Sequence, residues 1–414
     1  MLRVAMISYH TCPLATLGGK DTGGMNVYVR ELTRHLGEQG VHVDVFTRSQ
    51  DEHVPHVLHD LGYGNRVVHV TAGPEIPLPK PDLAGYLPDF VRGIEDFVRA
   101  KGEKYHLIHS HYWMSGVAGG FLKAAWKVPL IHMYHTLGLM KNRVARSETE
   151  IEGEYRIEGE KEVLVNSDRI VAATIAEKAQ LEFLYRADHR KLATIPPGVD
   201  ISRFYPIPPD EAKAAVEIPT CRHMLLFVGR IEPLKGLETL IRAISLLKEN
   251  GALDQFPFCL TIIGGDPDAA PEMISEEMAR LQTLSKELDL GELVLFLGKQ
   301  DQDHLAYYYS AADIVIMPSH YESFGMVALE AMACGTPVVA SQVGGLGFLV
   351  QDGITGFVVP DGEPGALSER LYRLICQPEL REQMGAQAHE FAQSYAWQNI
   401  TSQMISLYGQ VLSS

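Results

Sequence analysis

The chain has 414 residues, 46% of them hydrophobic and 21% charged, a globular composition that excludes a disordered, collagen-like or coiled-coil architecture. At roughly 100–200 residues per domain, that length makes two domains the natural division. Its 52 acidic against 36 basic residues give a formal net charge of −16. This excludes non-specific binding to nucleic acid or anionic lipid, and any anionic ligand must be held by a local cluster of donors.

In chain order, short apolar runs alternate with amphipathic stretches. Leu2–Ser8 reads as a buried strand rather than a signal peptide, since no long apolar region follows it. Val27–Gln39 reads as a helix with Leu32 and Leu36 on one face. Val41–Thr47, Leu107–Ser110, Leu130–Tyr134 and Ile170–Ala173 read as further buried strands. Ile195–Pro209 carries five prolines and one glycine and reads as a linker. The pattern then restarts, with strands at Met224–Val228, Leu260–Ile263, Leu293–Leu297, Ile314–Met317 and Pro337–Ala340, and Ala388–Leu412 reads as a terminal helix. This alternation predicts an α/β protein of two Rossmann-like, doubly wound domains, residues 1–200 and 201–389. Their ligands are expected at the carboxyl ends of the strands, in the cleft between the domains. No run approaches ~18 apolar residues, so neither a transmembrane helix nor a membrane partner is expected. Cys12, Cys221, Cys259, Cys334 and Cys376 are scattered, with no CxxC and no zinc spacing, which predicts reduced thiols in a cytoplasmic protein.

Three segments concentrate glycine and charge at strand ends. Gly18-Gly19-Lys20-Asp21-Thr22-Gly23-Gly24 follows the first strand and precedes a helix. Its glycines let backbone amides approach an anion, and the helix start adds a favourable dipole. The spacing fits neither the dinucleotide nor the P-loop pattern, and a plain β–α turn is the competing reading. Gly229-Arg230-Ile231-Glu232-Pro233-Leu234-Lys235-Gly236 follows the first strand of the second half. Arg230 offers a planar fork and Lys235 a point charge, which suits a diphosphate; two solvated loop charges are the alternative.

The third segment, Tyr321–Ala331, holds Glu322 and Glu330 eight residues apart. Eight residues of helix rise about 12 Å, so the two carboxylates would serve different ends of one extended ligand rather than form a close dyad. A capped amphipathic helix with surface glutamates is the alternative, yet Glu330 sits among Leu329, Ala331 and Met332, where an unpaired carboxylate is costly to bury.

His109-Ser110-His111-Tyr112-Trp113 and His135-Thr136-Leu137-Gly138 both follow strands of the first half. Their spacing and lack of a carboxylate partner argue against zinc and for contacts to a sugar or phosphate, with core packing as the alternative for His109. Asp266-Pro267-Asp268 has the form of an aspartate-x-aspartate metal motif, but after Gly264-Gly265 it is equally a turn, and no metal is expected. Lys80, Lys141, Arg143 and Arg156 fall in loops or at helix starts near these motifs, as a second anion site or as solvated charge.

Taken together, these motifs resemble the retaining family 4 glycosyltransferases of GT-B fold, over nearly the whole chain. Glu322-Ser323-Phe324-Gly325 … Glu330 is similar to the family's E-x7-E signature, Gly229-Arg230 … Lys235-Gly236 to its diphosphate clamp, and Pro197-Gly198-Val199-Asp200 to its interdomain motif. The resemblance implies a UDP-sugar donor whose diphosphate is held by Arg230 and Lys235 with amide support from Gly24. It implies Glu330 on the ribose, Glu322 and His135 on the donor sugar, backbone of Gly298 and Lys299 at the uracil, and Gly325, Met326 and Val327 completing the donor set. Gly23, Asn26, Lys80, Tyr112, Thr136 and Arg156 would bind the acceptor. Glu322, His135, Arg230 and Lys235 would carry the chemistry, with no cofactor and no essential metal. A terminal helix, about 390–414, would cross back to the first domain.

Two subfamilies with phosphorylated acceptors compete: sucrose-phosphate synthases, using UDP-glucose and fructose 6-phosphate, and the inositol-phosphate N-acetylglucosaminyltransferases of mycothiol synthesis. His135-Thr136-Leu137-Gly138 and Arg156-Ile157-Glu158-Gly159-Glu160 look more like the first, and Gly23-Gly24-Met25-Asn26-Val27-Tyr28 more like the second. The balance falls narrowly on fructose 6-phosphate. A UDP-sugar 2-epimerase and a non-catalytic two-domain binding protein are the rival classes; the E-x7-E pattern speaks against the first and the missing signal peptide against the second.

Overall fold

A computed structural model describes residues 1–16, 22–145, 147–216, 223–267, 269 and 274–413. Two compact units divide the chain. The first comprises residues 1–16, 22–197 and the segment from Trp397 on, and the second comprises Gly198–Ala396.

The first unit contains β1 (Arg3–Ile7), β2 (His42–Arg48), β3 (Val57–Leu58), β4 (Arg66–Val70), β5 (Leu107–His111), β6 (Leu130–Met133), β7 (Arg169–Ala172) and β8 (Leu192–Thr194). They form one sheet in the order β3-β4-β2-β1-β5-β6-β7-β8. All pairs are parallel except β3 with β4. A parallel sheet needs both faces covered, and Val4 to Ile7 of β1 are fully buried. Strand order reverses between β1 and β5, so the loops after these strands open at the switch point.

The second unit contains β9 (His223–Val228), β10 (Phe258–Ile263), β11 (Val294–Gly298), β12 (Ile314–Met317), β13 (Val338–Ser341) and β14 (Gly356–Val359). Their order is β11-β10-β9-β12-β13-β14, and all pairs are parallel. Here the order reverses between β9 and β12, and the loops that follow them carry Arg230 to Lys235 and Glu322.

Several elements differ from expectation. β3, β4, β8 and β14 are additional strands, two to five residues long. The first helix runs Gly24–Glu38 because the Asn26 side chain accepts from the Gly23 amide at 3.0 Å and starts the helix earlier. The terminal helix is two helices, Pro378–Gln393 and Trp397–Leu412. The second packs on the first unit: Trp397 lies 5.5 Å from the Tyr28 ring, and Tyr408 hydroxyl is 2.8 Å from His109 Nδ1. Where the chain passes between units, Val199 donates its amide to Tyr395 carbonyl at 2.9 Å, and Asp200 closes a turn on the Ser202 amide at 3.0 Å.

Cys12, Cys334 and Cys376 are free thiols, but Cys259 is disulfide-bonded. This corrects the expectation of reduced cysteines throughout; Cys221 lies outside the described residues. Among the described residues no helix is long and apolar enough to cross a membrane.

Candidate active site

In the second unit most of the residues expected at the donor follow β9 and β12, at the switch point, while Gly298 and Lys299 lie at the end of the edge strand β11. The loop after β9 ends at Gly236, which caps the helix Leu237–Glu249 in a left-handed conformation, φ 68°. A side chain there would meet the Pro318 carbonyl oxygen at 1.9 Å, so only glycine lets this helix start press against the loop after β12. That loop is held in turn: His320 donates its amide to Leu234 carbonyl at 2.8 Å, and its Nδ1 lies 2.5 Å from Asp361 Oδ1. The result brings Lys235 Nζ to 2.6 Å from Glu322 Oε2, while Arg230 Nη1 lies 2.7 Å from Glu232 Oε1. A helix N-terminus, an ammonium and a guanidinium at one strand end can stabilise a phosphate-bearing leaving group.

Glu322 is fixed from behind. Gly345 donates its amide to the Glu322 carbonyl at 3.0 Å, and Gly344 at φ 44° comes so close that a Cβ would sit 1.8 Å from that oxygen. Gly325 caps the helix Met326–Ala333 at φ 106°, where Met326 and Val327 are half-buried. Glu330 lies on the buried side of that helix, 7% exposed, and accepts from Tyr309 hydroxyl at 2.8 Å. That bond answers the cost of burying a carboxylate among apolar neighbours. Gly298 ends β11 at φ 68°, and Lys299 beside it is exposed.

Tyr309→Phe should therefore destabilise the protein by about 1–3 kcal/mol, the cost of taking a partner from a buried acceptor. Denaturant unfolding followed by circular dichroism measures this, and an unchanged midpoint would remove Tyr309 as the support of Glu330.

The first unit brings four of the six residues expected at the acceptor into one cluster. Lys80 Nζ lies 5.6 Å and the Arg156 guanidinium carbon 5.1 Å from the centre of the Tyr112 ring. Arg156 Nη2 donates to Thr136 Oγ1 at 3.0 Å and to its carbonyl at 3.1 Å. Arg156 is 2% exposed, and its Nε donates to Glu160 Oε1 at 2.9 Å. Burial works against its charge, but Tyr112, Glu160 and Glu152 outweigh that and hold it protonated. Tyr112 caps the helix Trp113–Trp126 at φ 72°, a strained conformation for a non-glycine residue.

Gly23 and Asn26 stand apart from this cluster in what they do. Asn26 is 1% exposed, and its Nδ2 donates to Thr11 Oγ1 at 2.7 Å and to Cys12 carbonyl at 2.8 Å. What the structure shows of Asn26 is helix capping and support of the loop after β1. Gly24 begins the helix, while Gly18, Gly19, Lys20 and Asp21 lie outside the described residues, as does Asp268.

His135 also has a left-handed backbone, φ 62°, and its Nε2 lies 3.0 Å from His111 Nδ1. Burial pushes its pKa down to about 3, so the ring is neutral and shares a proton with His111. His109, His111 and His132 are fully buried beside it, each with an Nε2 that has no partner. Among the described residues, no group of three or more His, Cys, Asp or Glu is arranged to hold a metal ion.

Sequence reasoning missed the parts that hold the site. Gly344 and Gly345 drew no reading, and the His320–Asp361 pair spans 41 residues with no local signal. Tyr309 and Glu152 had signals that went unused: an apolar helix face, and carboxylates spaced four residues either side of Arg156.

Comparison with known proteins agrees with this arrangement. Residues 22–203 match the model described as Glycosyltransferase Family 4, and residues 209–391 match that described as Glycosyl transferases group 1. A D-inositol 3-phosphate glycosyltransferase of Actinosynnema mirum is 39% identical over 99% of this chain and 97% of its own. Another, from Kineococcus radiotolerans, is 41% identical over 98% of this chain and 94% of its own. Among solved structures, a sucrose-phosphate synthase from Thermosynechococcus elongatus is 36% identical with a TM-score of 0.90, covering 100% of both chains. The chain thus belongs to the family 4 glycosyltransferases, with the two Rossmann-like domains of the GT-B fold.

Proposed function

We propose that the protein transfers a sugar, with retention at the anomeric carbon, from a UDP-sugar to a phosphorylated sugar or cyclitol in the cytoplasm. One observation carries this: Lys80, Tyr112, Thr136 and Arg156, far apart in sequence, meet around one aromatic ring as a cationic cluster in an acidic chain. In this reading the bond from the anomeric carbon to the diphosphate breaks and a bond to the acceptor oxygen forms on the same face. The acceptor's hydroxyl proton passes to a diphosphate oxygen, so the protein needs no strong general base. Arg230, Lys235 and the amides opening the helix Leu237–Glu249 stabilise the charge left on the diphosphate. Because these groups supply positive charge, the reaction is taken to need no metal.

The first substrate pair is UDP-N-acetylglucosamine with inositol 3-phosphate. It is supported by the names of the relatives at 39% and 41% identity and by Gly23-Gly24-Met25-Asn26. The second is UDP-glucose with fructose 6-phosphate, to which the motifs alone lean narrowly. It is supported by the 36% identical sucrose-phosphate synthase and by the motifs around His135 and Arg156. Crossing the two donors with the two acceptors and measuring UDP release should give one productive pair, with its rate retained in EDTA. No acceptor-dependent UDP from any combination would overturn the reading. Conversion of UDP-N-acetylglucosamine without acceptor would point to the epimerase instead.

A further inference from the structure

The cations of the first-unit cluster are engaged by a carboxylate that the proposed reaction does not use. Arg156 Nη1 lies 2.6 Å from Glu152 Oε1, and Lys141 Nζ forms an ion pair with the same oxygen. Lys80 acts on the Glu152 carboxyl electrostatically as well. Burial pushes this carboxyl up, but Arg156, Lys141 and Lys80 more than offset it and hold its pKa below the ordinary value, so Glu152 is an anion at neutral pH. Three cations thus act on one small anion, and two of them, Lys80 and Arg156, also lie over the Tyr112 ring.

Arg156 has two carboxylate partners, and they are built differently. Glu160 is fully buried, and accepts from the Gly138 amide at 3.0 Å and from Tyr185 hydroxyl as well as from Arg156. It is a permanent counter-ion, and removing it would strand a buried charge. Glu152 lies just before the helix Glu154–Asn166, and its side chain keeps 18% exposure. Its backbone is steadied by Asn142, which accepts from the Glu152 amide at 2.7 Å and donates to its carbonyl at 3.2 Å. Glu152 can therefore be withdrawn by turning its side chain, without unpicking the fold.

We propose that Glu152 is a built-in stand-in for the acceptor's phosphate. It fills the anion position among Lys80, Lys141 and Arg156 when the site is empty, and withdraws when a phosphate arrives. This rests on the reading of the cluster as the acceptor's phosphate site, and it adds Lys141 to that site. The consequence is selectivity. A monoanion offers these cations no more charge than Glu152 already does, whereas a phosphate dianion offers more and can form bidentate bonds to Arg156. Glu152 thus keeps weak anions out and makes the phosphate group a condition of acceptor binding.

The test uses inorganic phosphate as probe, without donor, and isothermal titration calorimetry as readout. Glu152→Gln removes one negative charge within a few ångströms of the bound anion, and is expected to tighten phosphate binding about tenfold or more. Chloride and acetate, excluded by the wild type, should compete with phosphate in this variant. Glu158→Gln, at an exposed glutamate on the helix that follows Glu152, should change nothing. Unchanged or weaker phosphate binding in a folded Glu152→Gln protein would overturn the proposal. Should that variant fail to fold, Glu152→Asp keeps the charge but draws it back by one methylene, and a smaller gain is expected; no gain overturns the proposal equally. Lys80→Met separates the two readings. If it binds phosphate as the wild type does, the acceptor reading fails. If it loses phosphate while Glu152→Gln gains nothing, only the role of Glu152 fails.

Discussion

Lys235→Ala is expected to lower kcat by about 10²–10³-fold on the productive substrate pair while leaving the protein folded. The size follows from what Lys235 does in the proposed reaction. It places a positive charge where the leaving diphosphate gains negative charge, and removal of one such preorganised group typically costs that factor. The stability cost should be small. Lys235 and its partner Glu322 are 20% and 16% exposed, so water and ions can take over the solvation of Glu322. Lys235→Arg should recover only part of the loss, because a planar fork does not occupy the position of a compact ammonium 2.6 Å from Glu322. Glu322→Gln should lose turnover too, through the donor sugar and through a mispositioned Lys235. Steady-state UDP release with a thermal melt on each variant makes the check; a kcat within twofold of wild type for Lys235→Ala would remove the lysine from the chemistry.

The pairing of Lys235 with Glu322 also shows what a sequence can and cannot disclose. Both residues were identifiable because each follows a buried apolar strand, and such strands are the easiest elements to read. Their adjacency, across 87 residues of chain, was not identifiable, because it depends on β9 and β12 being neighbours. The order of strands in a sheet is set by packing and crossover handedness, not by any local period. Lys80, Tyr112, Thr136 and Arg156 teach the same lesson in the first unit: their roles were expected from resemblance, but their meeting around one ring is a property of the fold. The strands β4 and β14 were missed because Arg66 and His69 interrupt the apolar run of the first and the second opens on Gly356. The terminal helix was read as continuous because Ser394 to Ala396 contain neither glycine nor proline, the usual signs of a break. Asn26 is a different case: a polar residue beside a glycine loop reads as a ligand contact, yet its amide groups are engaged by Thr11, Cys12 and Gly23.

Acid should unfold the first unit well before ordinary carboxylate titration would. His109, His111 and His132 are fully exposed to protons only when the chain unfolds, since all three are completely buried in the fold. Burial holds the pKa of His109 near 3, with His135 adding to the effect, and holds His111 and His132 well below 6.5. In the unfolded chain each would titrate near 6.5. Below that pH the unfolded state binds protons that the folded state refuses, so stability falls as pH falls from about 6.5 towards 3. For His109 that slope is roughly 1.4 kcal/mol per pH unit across the window, and His111 and His132 act in the same direction.

Glu177 works in the opposite direction. Burial raises its pKa to about 7, so the fold takes up a proton there before the unfolded chain does, and stability is gained between about 7 and the ordinary carboxylate range. One such group works against four histidines, since burial also pushes His135 down to about 3. The net effect as pH falls to 4.5 is then a loss of stability. All three tryptophans, Trp113, Trp126 and Trp397, belong to the first unit, so tryptophan fluorescence reports on it selectively. Their emission should shift between pH 6.5 and 4.5, and His109→Asn should flatten that dependence while weakening the tie of Tyr408 on the terminal helix. A denaturation free energy that stays level from pH 7 to 4.5 would mean that these rings are solvated or charged in the native protein, and the neutral His111–His135 pair behind the proposed donor-sugar contact would go with it.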